Sequence, residues 1–356
     1  MFNSVVLTSA LAFATALFIA FALTPVVKSF AFKIGAIDVP KDDRRMHKTP
    51  IPRVGGLAIY LGFLVSILIF GEINADMKSI LLGSVIIVLL GVVDDVVALS
   101  PKVKFAGQIA AALLPILSDV RISVLTNPFI EGEYFHLGWL SYPITLLWIV
   151  GLTNAVNFID GLDGLACGVS SIASLTVFTI ALLFSEPHVA VAMAAVAGAC
   201  FGFLPYNMNP AKIFMGDTGS MFLGYILATM SIRGLFKLYT IISFIVPFII
   251  LGLPIFDTGF AIVRRLLKGQ SPLQADRGHI HHRLVDMGFD QKQSVAILYA
   301  VSIVLGLAAV VFTTSGEMKI AVCAVAVLLC FFFAMNLRIG GKKHGGKEDN
   351  KSEEQK

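Results

Sequence analysis

Five aspartates sit at the ends of apolar runs: Asp94 and Asp95 in GVVDDV, Asp160 and Asp163 in NFIDGLDGLA, and Asp217 in FMGDTGS. A carboxylate costs roughly 2.5–3.5 kcal/mol at the centre of a membrane helix and less near the interface, so acids in such segments usually have work to do. Carboxylates clustered with amide oxygens suit a hard cation such as Mg²⁺, with Mn²⁺ as an alternative. Such a cation takes oxygen ligands and keeps waters for a substrate phosphate. Zinc is not indicated. The four cysteines (Cys167, Cys200, Cys323, Cys330) lie in apolar segments without CxxC spacing and read as buried packing thiols.

Basic and imidazole groups stand against these acids. The segment DVPKDDRRMHKTPIPRVGG supplies Arg44, Arg45, His47, Lys48 and Arg53, and SPLQADRGHIHHRL supplies Arg277, His279, His281, His282 and Arg283. Acids that hold a metal beside cations that neutralise phosphate oxygens make up the layout of a diphosphate site. Gly161 and Gly164 allow close backbone approach, and Gly216 and Gly219 flank Asp217 where a helix begins. Thr218 and Ser220 are candidate caps for that helix, whose N-terminus would favour a phosphate. Blander readings stand beside these. Arg44 and Arg45 serve equally well as membrane anchors, Asp42 and Asp43 as solvated charges, and Asp257 as half of a structural pair with Arg264. Pro50, Pro52, Gly55 and Gly56 mark a turn. Three histidines within four positions exceed a structural expectation. Adjacent carboxylates at Asp94 and Asp95 repel unless a cation compensates.

The elements that position these groups are apolar helices. The chain has 356 residues, 57% of them hydrophobic and 14% charged, with mean hydropathy +0.85, which excludes an ordinary soluble domain. The expected fold is all-α, a polytopic membrane domain over 1–337 followed by a charged, disordered tail over 338–356. Eleven spans are expected, over roughly 5–27, 54–71, 79–98, 105–119, 139–155, 166–184, 188–204, 219–235, 239–262, 294–314 and 318–337. The first run lacks a cleavage pattern and reads as a retained span. With the N-terminus outside and the C-terminus cytoplasmic, 22 of the 27 Lys and Arg fall on the inner side. Only Lys78, Arg121, Arg233, Lys237 and Lys319 fall outside. The same topology puts all five aspartates and both basic loops on the cytoplasmic face. The stretch 120–138 is the sizeable external loop, with room for a short hairpin.

In order and spacing, from Asp38 to about Met287, these motifs resemble those of the polyprenyl-phosphate N-acetylhexosamine-1-phosphate transferases. The PRxGG form at Pro52–Gly56 and the HxHHR form at His279–Arg283 are similar to the branch that uses UDP-N-acetylglucosamine. The peptidoglycan-precursor branch instead carries a TPTMGG-like turn and three consecutive histidines. The resemblance implies that Asp217 is a Mg²⁺ ligand with Asn157 beside the metal and diphosphate. It implies that Asp94 and Asp95 form the catalytic pair and that Lys48 contacts phosphate. Asp160, Asp163, Asn207 and Phe214 would then surround the uridine. His281, His282 and Arg283 would close over diphosphate and sugar, with His279 and Arg53 as further substrate contacts.

The reaction so implied is attack by undecaprenyl phosphate on the β-phosphorus of UDP-GlcNAc, releasing UMP. It would take place on the cytoplasmic side of a bacterial plasma membrane, as the first membrane step of a cell-envelope polysaccharide such as teichoic acid. A phosphate monoester has its second pKa near 6, so alignment and charge neutralisation should matter more than a general base. The partners implied are undecaprenyl phosphate, UDP-GlcNAc and the bilayer, with no nucleic acid, and homodimerisation stays open. The alternatives are transfer of phospho-MurNAc-pentapeptide and, from another class, a cation-coupled transporter. The transporter would place its acids near the midplane and repeat broken helices in two halves.

Overall fold

A computed structural model describes residues 2–39, 50–126, 134–235, 245–269 and 279–314. The helices are α1 (Phe2–Ile34), α2 (Gly56–Phe70), α3 (Ala75–Val97), α4 (Pro101–Leu117), α5 (Ser141–Ile159), α6 (Leu165–Leu183), α7 (Pro187–Asn207), α8 (Gly216–Gly234), α9 (Ile245–Ile250), α10 (Gly252–Leu267), α11 (Ile280–Asp286) and α12 (Gln291–Thr313). Two small antiparallel pairs complete the described chain. They are β1 (Ile37–Asp38) with β2 (Ile51–Pro52), and β3 (Val124–Thr126) with β4 (Tyr134–His136). The second pair is the hairpin expected in the 120–138 stretch.

The protein is all-α, and six helices among the described residues are long and apolar enough to cross a membrane. They are α1, α3, α5 with the 3₁₀ turn before it, α6, α7 and α12. The apolar α2 has only 15 residues and α4 has 17. The span expected at 318–337, and the tail, lie outside the described residues.

Several boundaries differ from expectation for local reasons. Helix α4 starts at Pro101, whose fixed φ suits a first helical position, so Lys102 and Lys104 are helical rather than part of a loop. Helix α1 continues past Pro25 to Ile34 and takes up Lys28 and Lys33. The run expected at 239–262 is interrupted at Leu251, between α9 and α10. Pro254 lacks an N–H, and its ring crowds the carbonyl of Ile250, so the helix breaks there. At α12, Asp290 and Gln293 form a reciprocal capping box, with bonds of 2.7 and 3.0 Å.

Small residues let the helices meet closely. Ala12, Ala16 and Ala20 of α1 are fully buried, and Gly198 and Gly202 of α7 lie against the α1 carbonyls of Phe13 and Leu17. Helix α8 is buried along nearly its whole length, between α2, α3 and α5. Helices α3, α5 and α7 run toward one end of the bundle and α4 and α8 run back from it, as contacts at their ends show. At one end the C-terminus of α3, the N-terminus of α4, the C-terminus of α5 and the N-terminus of α8 converge. At the other, Arg233 of α8 approaches Asp76 of α3 at 3.8 Å, and His188 of α7 lies 3.5 Å from Glu72.

Candidate active site

The polar end of the bundle is organised by the N-terminus of α8. A helix start leaves backbone N–H groups without partners. Here Asp95, near the C-terminus of α3, supplies them: its carboxylate accepts from Asp217 N at 3.0 Å and from Thr218 N at 3.1 Å, and also from the Thr218 hydroxyl at 2.7 Å. The cap therefore comes from another helix, not from Thr218 or Ser220. The approach needs two glycines. A Cβ at Gly91 would meet the Thr218 backbone, and Gly216, at φ +71°, lies against the Asp95 carboxylate. Asp95 is 8% exposed.

Asp94, its neighbour, faces the opposite task. It accepts from Leu99 N at 2.7 Å and from the Lys104 ammonium at 3.0 Å. The same ammonium is bonded to Asp217. Three helices thus bring two carboxylates onto one cation. Asn157 of α5 completes this layer by donating to Ser220 Oγ at 2.8 Å, and Ser220 in turn donates to the Gly216 carbonyl. One helical turn deeper, Gln108 and Asn154 exchange amide hydrogen bonds of 3.3 and 2.6 Å. These tie α4 to α5 beneath the charged layer.

The turn from Asp160 to Gly164 forms a second wall. Burial, then the carboxylates of Asp217, Asp95 and Asp163, push Asp160 up to about 8, against an opposing pull from Arg53. Arg53 itself pairs with Asp38 at 3.0 Å. The Asp163 carboxylate is engaged by Ala211 N and Asn209 Nδ2, both at 3.0 Å, which fastens the segment between α7 and α8. Asn207 donates to the Ile213 carbonyl at 3.1 Å, and its buried Oδ1 has no partner among the described residues. Phe214 joins this segment to the PRxGG turn through its backbone: its N–H donates to Pro52 O at 2.9 Å, and its carbonyl accepts from Gly55 N at 3.0 Å.

The histidines form the third wall. Asp257 of α10 binds His279 Nδ1 at 2.9 Å and accepts from Ile280 N at 2.8 Å, so it fixes the start of α11. His279 and His281 lie nearly parallel with ring centres 5.8 Å apart, and His281 and His282 are 4.3 Å apart. His281 rests on Gly161, where any Cβ would run into its Nε2. Burial, and the neighbouring His282, lower the His281 pKa to about 4, so this ring is neutral at pH 7. Arg283 is exposed on α11.

Of the candidates read from sequence, Asp94, Asp217 and Asn157 share one layer with Lys104, and Asp95 sits directly behind it. Asp160 and Asp163 share the adjacent turn, and His281 packs on it. Lys48 lies outside the described residues. Sequence reasoning missed Lys104 and the bond of Asp257 to His279. A signal for Lys104 did exist: a lysine in the first turn of a helix opposes the helix dipole and needs a partner. Among the described residues, no three His, Cys, Asp or Glu side chains converge closely enough to hold a metal by themselves.

The acids, an ammonium and imidazoles gather at one end of an all-helical bundle, six of whose described helices are long and apolar enough to cross a membrane. The relatives of the chain are transferases by name, so these features define a multi-pass membrane enzyme. The profile of glycosyl transferase family 4 matches residues 77–235, which run from α3 through α8. A probable undecaprenyl-phosphate N-acetylglucosaminyl 1-phosphate transferase of Bacillus subtilis is 42% identical over 90% of this chain and 89% of its own length. The decaprenyl-phosphate N-acetylglucosaminephosphotransferase of Mycolicibacterium smegmatis is 35% identical over 88% and 85%. A phospho-N-acetylmuramoyl-pentapeptide-transferase of Desulfitobacterium hafniense is 31% identical over 89% and 99%. The chain belongs to this family of membrane transferases.

Proposed function

We propose that the protein transfers GlcNAc-1-phosphate from UDP-GlcNAc to undecaprenyl phosphate, giving undecaprenyl-diphospho-GlcNAc and UMP. The observation that carries this reading is the Lys104 ammonium held between Asp94 and Asp217 at the end of the bundle. It brings cationic and anionic groups together where a lipid phosphate and a soluble nucleotide sugar can meet. The names of the Bacillus subtilis and Mycolicibacterium smegmatis relatives favour GlcNAc over MurNAc-pentapeptide as the sugar. The HIHHR form at His279–Arg283 favours it too.

An oxygen of the lipid phosphate forms a bond to the β-phosphorus, the bond to the bridging oxygen breaks, and UMP leaves with the electron pair. Because the lipid phosphate is mostly ionised at pH 7, no strong base is required. What the site must supply is cancellation of charge and alignment. Lys104 supplies a positive charge that Asp94 and Asp217 hold in place. Asp160 and Asn207 line the side assigned to the nucleotide, and the neutral His281 offers a hydrogen bond without adding charge.

The donor set suits Mg²⁺. It is made of hard oxygens, and Asp94 and Asp217 already converge on a cationic group. Asp217 and the amide of Asn157 would hold the ion, with diphosphate oxygens and waters completing its shell. When bound, Mg²⁺ would neutralise diphosphate oxygens in the transition state.

In this reading the chain crosses a bacterial plasma membrane eleven times, with the N-terminus outside and the site cytoplasmic. The alternation of helix directions and the excess of Lys and Arg on the site side support that topology. The product would begin a cell-envelope polysaccharide such as teichoic acid. The test is release of UMP by purified protein given undecaprenyl phosphate and either UDP-GlcNAc or UDP-MurNAc-pentapeptide. Turnover of the first is expected. Turnover of the second alone would replace this reading with its peptidoglycan counterpart.

A further inference from the structure

The turn Asp160–Gly164 has little regular structure of its own, yet it carries the acids assigned to the nucleotide. Besides the bond from Ala211 N to Asp163, two anchors hold it, and both lead to α12. The Tyr299 hydroxyl donates to the Gly164 carbonyl at 2.6 Å. It reaches that carbonyl through a notch in α6, because a Cβ at Gly168 would collide with the Tyr299 ring and hydroxyl. The second anchor is a chain of side chains. Asn209 Nδ2 donates to Asp163 Oδ2 at 3.0 Å and to Gln291 Oε1 at 2.8 Å. Gln291 is the first residue of α12, fixed by the Asp290–Gln293 capping box. Helix α11, with His281 resting on Gly161, ends five residues before α12 begins. A single helix therefore helps to set the position of the Asp163–Gly164 end of the turn.

We propose that Tyr299 and Gln291 are positioning residues for the nucleotide half of the donor, holding the Asp160–Gly164 turn at the distance that donor binding requires. Neither side chain touches the Lys104–Asp217 layer, so their effect should fall on donor affinity and spare the metal and the lipid. The proposal rests on the assignment of this turn to a uridine nucleotide. Tyr299→Phe removes one oxygen and keeps the ring that fills the notch. Gln291→Ala removes the second anchor at a helix end.

In a UMP-release assay, Tyr299→Phe should raise KM for UDP-GlcNAc about tenfold and leave kcat within about threefold. KM for undecaprenyl phosphate and the Mg²⁺ half-saturation should not change. Gln291→Ala should act in the same direction by a smaller factor. UMP binding, measured directly on the purified proteins, should weaken by the same factor as donor KM rises. Unchanged donor KM in both variants, or donor and lipid KM rising together, would overturn the proposal. If the wild type does not turn over UDP-GlcNAc, the donor assignment falls. The UMP measurement then decides the positioning role alone: weaker binding in Tyr299→Phe upholds it, and equal binding rejects it.

Discussion

Asp95 and Thr218 are joined twice across the interface of α3 and α8, through the Thr218 backbone N–H at 3.1 Å and its hydroxyl at 2.7 Å. The two adjacent acids of the DD pair consequently differ in kind. Asp95 fastens the helix that carries Asp217, whereas Asp94 shares a cation with it. Asp95→Asn loses a charged acceptor at a buried helix start, which should cost about 2 kcal/mol. Its thermal midpoint in detergent should fall by several degrees, and activity should fall with it. Asp94→Asn should keep the wild-type midpoint and lose activity alone. Equal midpoints for the two variants would contradict this division.

In the proposed reading, Lys104 and a divalent cation would compete for the carboxylate oxygens of Asp217. With Lys104→Met, Asp94 and Asp217 are left facing each other uncompensated, a situation that favours any added cation. The half-saturating Mg²⁺ concentration should therefore drop several-fold while kcat falls about a hundredfold. Titration of UMP release with Mg²⁺ checks both at once. A rise in the Mg²⁺ requirement would show that Lys104 assists the metal rather than opposing it.

His281 should set an acid limit on folding. Its folded-state pKa, about 4, lies below the ordinary 6.5 because burial and His282 and His279 disfavour the imidazolium, while Asp257 only partly compensates. The folded state thus prefers the neutral ring. That contribution is fully present above about 6.5 and is lost as pH falls toward 4, because the unfolded chain takes up the proton first. Between pH 7 and 4 this contribution pulls the thermal midpoint down, so the midpoint of His281→Gln should gain on that of the wild type as pH falls. Parallel curves for wild type and variant would assign the acid limit to another group.

Much of this site is legible in the sequence, because hydropathy fixes where the apolar runs stop and all five aspartates stand at those stops. The PRxGG turn and the 120–138 hairpin are local features, read from turn residues. What remained hidden depends on tertiary contacts. Lys104 looks like one more inner-side charge until α4 is seen to start at Pro101 and place it opposite Asp94 and Asp217. The capping role of Asp95 needs the close approach at Gly91, which no local pattern reports. Asp257 reads as a partner for Arg264 by helical spacing, yet its carboxylate holds His279 and Ile280, more than twenty residues on. The break at Leu251 was less well concealed, since Pro254 lies within the apolar run.

Gly161 is the point where the Asp160–Gly164 turn and the histidine wall touch, and that contact can be tested by a pair of substitutions. A Cβ at this position would displace His281 Nε2, because the ring is held from behind by its stack on His279, which Asp257 fixes. Gly161→Ala should thus lower kcat/KM for the donor about a hundredfold, through misplacement of the histidine rather than loss of any polar group. His281→Ala removes the group that the new methyl would strike. The double variant should be no worse than His281→Ala alone, so the two effects should be strongly non-additive. Additive losses would mean that Gly161 serves the turn itself, or the ligand, and not the placement of His281.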